Sequence, residues 1–458
     1  MTRPGSFALA AVAAGSLAAM LLPLSPAGLG WAIVALALAA AAALAGRPPH
    51  PLRSSLLGLL ALALAASAAL RDAGWVVAGE LVAALVLGSI AMSAPRTWRA
   101  TAIAALAAAR LASGARRVAG AALGALPRGS SAHAVAVGRG LLLSGALVAI
   151  FGALFASGDR AFAQLAGDLL PGVPALDDAP LRLIVFGLVV ALAGALAQAA
   201  DIADEPARAP LLRLGRVEWR LALGALNALF ALFVGVQLAV LFGGDGYVRE
   251  TAGLTYAEYA RSGFAQLVVV AVLTLAVVAG ALRWARTADA RQARLLHALL
   301  GALCLLTLVV LASALHRLGL YEHAFGYTRT RLAVHALLLF GGALFVLVIA
   351  AFAIGHRDWL ARATVALAGV FAVAFWVGDP DRRIAAHNVQ RYEQTGRIDT
   401  GYLSGLSADA VPALVRLPAP LRAEALGPQA SRLARTRDGF AGANLARMRA
   451  RDAIAALP

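Results

Sequence analysis

The chain has 458 residues, of which 61% are hydrophobic and 14% charged, with a mean hydropathy of +0.79 and a formal charge of +16. A soluble chain of this length needs a polar shell, so this composition excludes an ordinary soluble enzyme and points to a membrane protein. Lysine is absent and all of the positive charge is arginine. The arginines lie between apolar runs, as membrane topology determinants do, so the charge does not indicate a nucleic-acid partner.

In chain order, apolar runs predict spanning helices at Ser6–Leu22, Leu29–Ala45, Ser55–Leu70 and Ala73–Ala94, a four-span region within residues 1–94. Seven more follow within 138–377: Gly138–Ala156, Leu181–Ala199, Trp219–Leu241, Gly263–Leu282, Leu295–Ala314, Leu332–Ile354 and Leu360–Val377. Each is near the roughly 20 residues that cross a hydrocarbon layer. The fold class is therefore all-α, a polytopic helix bundle of about eleven spans. The first run reads as a retained helix rather than a cleaved signal, because a second apolar run follows almost at once. Residues 95–137 carry Arg99, Arg110, Arg116 and Arg117 among Ala and Leu, and read as a basic amphipathic helix on the cytoplasmic leaflet, with a solvated linker as the alternative. Residues 378–458 are polar and punctuated by Gly396, Gly401 and Pro412, and predict a small helical tail. Ser407 ahead of Ala408-Asp409-Ala410-Val411 reads as a helix start.

Numbered from the N-terminus, alternate loops differ in charge. One face is dense in arginine, whereas the other sets Asp72, Asp159, Asp245, Glu250, Glu258 and Glu322 against fewer arginines. The positive-inside rule puts the arginine-dense face and the N-terminus in the cytoplasm, and an odd number of spans puts the tail outside.

The distinctive polar motifs fall on the predicted outer face. They are Ser157-Gly-Asp159, the stretch from Phe242 through Asp245, Arg249 and Thr255-Tyr256-Ala-Glu258-Tyr259-Ala-Arg261, and His316-Arg317-Leu-Gly-Leu-Tyr321-Glu322. Thr328-Arg329, His387-Asn388-Val-Gln-Arg391-Tyr392 and Tyr402 to Leu414 complete the set. Together they resemble a family of bacterial multi-pass membrane proteins known only as a domain of unknown function, number forty-one seventy-three, over roughly 138–417. The resemblance implies a shared membrane fold and carries no activity.

Two readings of these residues stand side by side. Tyrosines at a helix mouth form an interfacial belt, and Glu258 with Arg261 is a surface helix pair. Alternatively, Arg249, Arg261, Arg317, Arg329 and Arg391, with Asp159, Asp245, Tyr256, Glu258, Tyr259, His316, Tyr321, Glu322, Asn388 and Tyr392, form a rim for an anionic lipid or envelope precursor. Within the bilayer, Glu80, Asn227, Gln237 and His335 are exceptions to apolarity. Asn227 and Gln237 read as interhelical donors, His335 as a hydrogen-bonded packing residue, and Glu80 as a weak proton-site candidate near Arg71.

No metal motif, nucleotide loop, nucleophile elbow or other cofactor signature is present, and Asp379-Pro380-Asp381 reads as the turn ending the last span. The single Cys304 sits in an apolar run as a packing residue. The leading expectation is a membrane protein of unknown activity with an outer binding or accessory surface for an anionic envelope ligand or a partner membrane protein. The alternative is a secondary transporter, proton-coupled through Glu80, which the bundle size and buried amides favour and the lack of an inverted repeat opposes. An envelope enzyme of the glycosyltransferase kind lacks an acid-base pair.

Overall fold

The computed structural model describes residues 4–45, 51–93, 95, 97–124, 178–202, 214–252, 264–355 and 359–457. Side chains at 4, 51–53, 179–180, 236–252 and 264–268 fall outside that description. The described residues form helices joined by turns and contain one isolated β-bridge, between Leu214 and Ala285. Among the described residues six helices are long and apolar enough to cross a membrane, and shorter apolar helices accompany them. An all-α polytopic bundle follows. The predicted span at 138–156 lies outside the described residues.

The chain divides into two compact units. The first comprises 1–204, 407–409 and 427–458. It contains α1 (Pro4–Leu21), α2 (Leu29–Ala45), α3 (Pro51–Leu70), α4 (Gly74–Ser93), α5 (Trp98–Ala105), α6 (Leu111–Gly124) and α7 (Ala179–Ala199). Its core is built of small residues: Ala8, Ala11, Ala14, Ala18, Ala41, Ala193 and Ala197 pack with Phe7, Val34, Leu38, Val118 and Val189. Lipid tails are as apolar as leucine, so close backbone approach, which small side chains permit, is what holds such helices together.

Residues 95–124 form two helices where the sequence predicts one. Thr97 caps α5 by accepting from Ala100 N at 3.2 Å, and a 3-10 turn at Ala107–Ala109 separates α5 from α6. The apolar face of α6 packs against α1 and α7, burying Val118 in the core. Gly114 and Gly194 meet where a Cβ on either would strike the other helix's backbone. Ser113 and Gln198 exchange two 2.8 Å hydrogen bonds beside that crossing, and Arg117 pairs with Asp201. Arg99, Arg110 and Arg116 remain exposed.

The second unit comprises 205–406 and 410–426. It holds α8 (Arg216–Ala252), α9 (Phe264–Trp284), α10 (Ala290–Phe325), α11 (Arg329–Ile354) and α12 (Leu360–Val377), followed by α13 (Pro380–Thr395), α14 (Thr400–Ser404) and α15 (Val411–Leu414). Larger side chains fill its core, among them Trp219, Leu223, Leu296, Leu300, Val310, Leu311, Leu318 and Phe345, with Cys304 fully buried among them. Asp289 caps α10, accepting from Gln292 N at 2.7 Å, and those hydrogen bonds hold its carboxyl below the usual range.

Two helices exceed their predicted spans. The helix α8 runs 37 residues and α10 runs 36, each about 54 Å at 1.5 Å per residue, against a hydrocarbon layer of about 30 Å. Asp245 and Arg249 are therefore on a helix, as are His316, Arg317, Tyr321 and Glu322, and not on loops. Hydropathy finds where a helix becomes polar, whereas the hydrogen-bonded ladder continues past that point.

The tail supplies α13 to α15, then α16 (Ala419–Arg435) and α17 (Leu445–Ala455). The expected helix start at Ser407 becomes a 3-10 turn, Ala408–Ala410, leading into α15.

Candidate functional site: the tail-tied helix ends

In the first unit the tail binds the α1–α2 and α3–α4 corners, which lie at one end of these two hairpins. Leu29 N donates to Ala443 O at 3.0 Å and Gly30 N to Ala441 O at 2.8 Å. Asp409, 3% exposed, accepts from Asp72 N at 2.8 Å and Ala73 N at 2.9 Å, so a residue more than 330 positions away caps the start of α4. Asp72 returns the contact, accepting from Ala408 N at 3.1 Å, and Arg71 lies 3.7 Å from Asp409. Asn444 donates to Ala68 O at 3.0 Å and Arg71 O at 2.8 Å at the end of α3, while its own side chain caps α17.

Arg447 sits at the centre of this knot, 4% exposed. Its guanidinium donates to Asp72 at 2.6 Å, Asp438 at 2.6 Å, Ala27 O at 3.0 Å and Gly442 O at 2.6 Å. Arg451 pairs with Asp438 as well. A cavity of about 230 Å³ adjoins the knot, lined by Pro26, Asp72, Gln429, Arg432, Thr436 and Arg447 among others. The tail arginines Arg435, Arg437 and Arg449 are exposed.

In the second unit the tail holds the α10–α11 turn. Gly326 ends α10 at φ 80°, a conformation suited to glycine, and a Cβ there would collide with Asn388 Oδ1. Asn388 accepts from Tyr327 N at 3.0 Å and donates to Tyr327 O at 2.9 Å, matching both backbone groups of one residue. Arg329 engages Asp381 through two donors at 3.0 and 2.5 Å, and Asp381 is fully buried. Arg329 N donates to the Tyr402 hydroxyl at 2.7 Å, and burial pushes the Tyr402 phenol above its ordinary value. Arg391 donates to His323 O at 3.1 Å and Ala324 O at 2.7 Å, closing the last carbonyls of α10. Arg331 reaches the Phe325 and Gly326 carbonyls and lies 4.2 Å over the Tyr321 ring.

Below this turn Glu322 is 1% exposed, with His335 Nδ1 3.5 Å from its Oε2. Tyr327 adjoins Glu322 and stacks on His387, ring centroids 4.4 Å apart. Burial, then the charge of Arg383, lowers the His387 pKa below its usual value.

The structure thus brings Tyr321, Glu322, Arg329, Asn388 and Arg391 together at one turn. His316 is exposed and Arg317 buried elsewhere along α10, and Tyr392 is half-buried on α13. Asn227 donates to Leu223 O at 2.8 Å and to Leu299 O of α10 at 3.1 Å. Glu80 is 5% exposed on α4. Asp159, Tyr256, Glu258, Tyr259 and Arg261 lie outside the described residues, as do the side chains of Gln237, Asp245 and Arg249. Asp379-Pro380-Asp381 does end the last span, and it also opens α13, with Pro380 at the first helical position. Sequence reasoning missed Asp438, Asn444, Arg447, Arg331 and the clasp made by Tyr402. Asn444 ahead of a helix was a local signal, whereas Arg447 meets Asp72 and Ala27, and Tyr402 meets Arg329, across long stretches of chain. No group of three His, Cys, Asp or Glu able to hold a metal occurs among the described residues.

The family described as a domain of unknown function (DUF4153) matches residues 58–417. The chain belongs to that family. The family's number differs from that of the resemblance drawn from the motifs, and its match begins earlier, within α3. Both are domains of unknown function. Neither a curated protein nor a solved structure matches the chain.

Proposed function

We propose that this member of the DUF4153 family is a non-enzymatic membrane protein whose tail caps the extracytoplasmic end of its helices and presents a cationic surface to a phosphate-bearing envelope lipid. One observation carries the reading: in the first unit the tail turns Asp409 and Asp438 inward, onto partners, and leaves Arg435, Arg437 and Arg449 outward. Asp438 is spent on Arg447 and Arg451, and Asp409 on the α4 start, whereas Arg435, Arg437 and Arg449 stand exposed against Asp452. Arginine's planar fork suits phosphate oxygens, and such contacts are weakened by salt. The sidedness rests on the arginine asymmetry of the loops. It is supported by the tail's contacts with the α1–α2 and α3–α4 turns, both assigned to the outer face by span parity.

The test uses the full chain in phosphatidylcholine nanodiscs, with phosphatidylglycerol or phosphatidylcholine vesicles as the probe. Salt-sensitive capture of phosphatidylglycerol vesicles is expected, and Arg435→Gln/Arg437→Gln/Arg449→Gln should reduce it several-fold. Inorganic phosphate at millimolar concentration should compete poorly if a membrane headgroup is the ligand. Equal capture by the triple variant would overturn the assignment.

A further inference from the structure

Glu322 occupies an unusual position for a carboxylate. It is buried at 1% exposure near the C-terminal end of α10, and among the described residues no donor meets either oxygen with good hydrogen-bond geometry, although the Tyr327 phenol and the His335 imidazole lie beside it. Removing a carboxylate from water without hydrogen bonds or a counter-charge is costly, so such groups are normally paired or carry a proton. Among the described residues the cationic candidate at contact range is His335, whose Nδ1 lies 3.5 Å from Oε2, too long for a well-formed hydrogen bond but close enough for coupling. The His335 side chain is 36% exposed, so the imidazole connects the buried carboxylate to the surface of the unit.

The surroundings are assembled from every element that meets there. The phenol of Tyr327, from the α10–α11 turn, neighbours Glu322; burial, then the Glu322 charge and a hydrogen-bond contact with that carboxylate, raise its pKa. His387 of α13 stacks on Tyr327, with Arg383 and His323 acting on the same imidazole. Arg331 of α11 is turned to the Phe325 and Gly326 carbonyls and the Tyr321 ring. The guanidinium groups nearest the turn are therefore engaged: Arg329 with Asp381, Arg391 with the end of α10.

We propose that Glu322 and His335 form a proton-binding site, holding one proton between them beneath the turn that the tail clasps. With the proton on the imidazole the pair is an ion pair, and with it on the carboxyl the pair is neutral. Either arrangement removes the bare buried charge, and loss of the proton restores it. Uptake needs no co-reactant, since the proton comes from water through the half-exposed imidazole. The site is independent of the arginine surface of the first unit.

The experiment is a pH titration of the histidine imidazoles in the full-length, 15N-histidine-labelled protein in nanodiscs, with the His335 signal identified by its loss in His335→Gln. Glu322→Gln should displace the His335 titration midpoint by about one pH unit or more, the size expected of a charge at this distance, while the exposed His316 stays in place. Should Glu322→Gln fail to fold, Glu322→Asp withdraws the charge by one methylene, and a smaller displacement is expected. An unchanged His335 titration in a folded Glu322 variant overturns the proposal.

Discussion

Removing the Arg447 side chain leaves Asp72 and Asp438 facing a buried hole, together with the Ala27 and Gly442 carbonyls it now satisfies. Breaking a buried charge pair by deleting one partner costs roughly 3–5 kcal/mol. Arg447→Ala should therefore lower the thermal midpoint of the purified protein markedly and expose the tail to protease, and a loss below about 1 kcal/mol would contradict the geometry described. Asn388→Ala should cost roughly 1–3 kcal/mol, because both backbone groups of Tyr327 lose their partner. His387 supplies a pH dependence. Its folded pKa lies below the unfolded value near 6.5, so the folded state prefers the neutral ring. The associated stability is present above the unfolded pKa and is lost as pH falls through the folded one. Thermal midpoints measured between pH 7 and 5 should fall for the wild type, and the fall should be shallower for His387→Gln.

At the scale of elements, the crossing of α6 and α7 depends on having no side chain at Gly114 or Gly194. Gly114→Leu should push the helices apart and cost roughly 1–3 kcal/mol, the usual range for overpacking; unchanged stability would mean that the close approach is not formed. This contact marks the limit of what the sequence shows. The apolar runs locate α1 to α4, α7, α11 and α12 to within a few residues, because burial in lipid demands long uninterrupted apolar helices. The same criterion stops short at the ends of α8 and α10, where polar residues continue the helix beyond the hydrocarbon thickness. It does not show that the apolar face of α6 packs on α1 and α7, since a face of Ala, Gly and Val serves protein contact as well as lipid contact. The candidate site is legible only by type of residue. Glu322, Arg329, Asn388 and Arg391 stand out as polar groups on one face, yet the partners of Arg329, Asp381 and Tyr402, lie 52 and 73 residues on. The pairing of Asp409 with the start of α4, or of Arg447 with Asp72, has no local signal at all.

For the whole molecule, the decisive feature is that one polar tail contributes to both units. In the first it ties the turns following α1 and α3; in the second it ties the turn following α10. The proposed topology puts these turns on the face opposite the arginine-dense loops. The account therefore stands or falls on which side of the membrane the tail lies. The direct measurement replaces Cys304 with Ala, places a single cysteine at the exposed Gly401, and treats intact cells with a membrane-impermeant thiol reagent. Labelling of intact cells, equal to that after lysis, is the predicted result and puts the tail, the knot around Arg447 and the exposed arginines outside. Labelling only after lysis would contradict the account, placing the tail and its cationic surface in the cytoplasm.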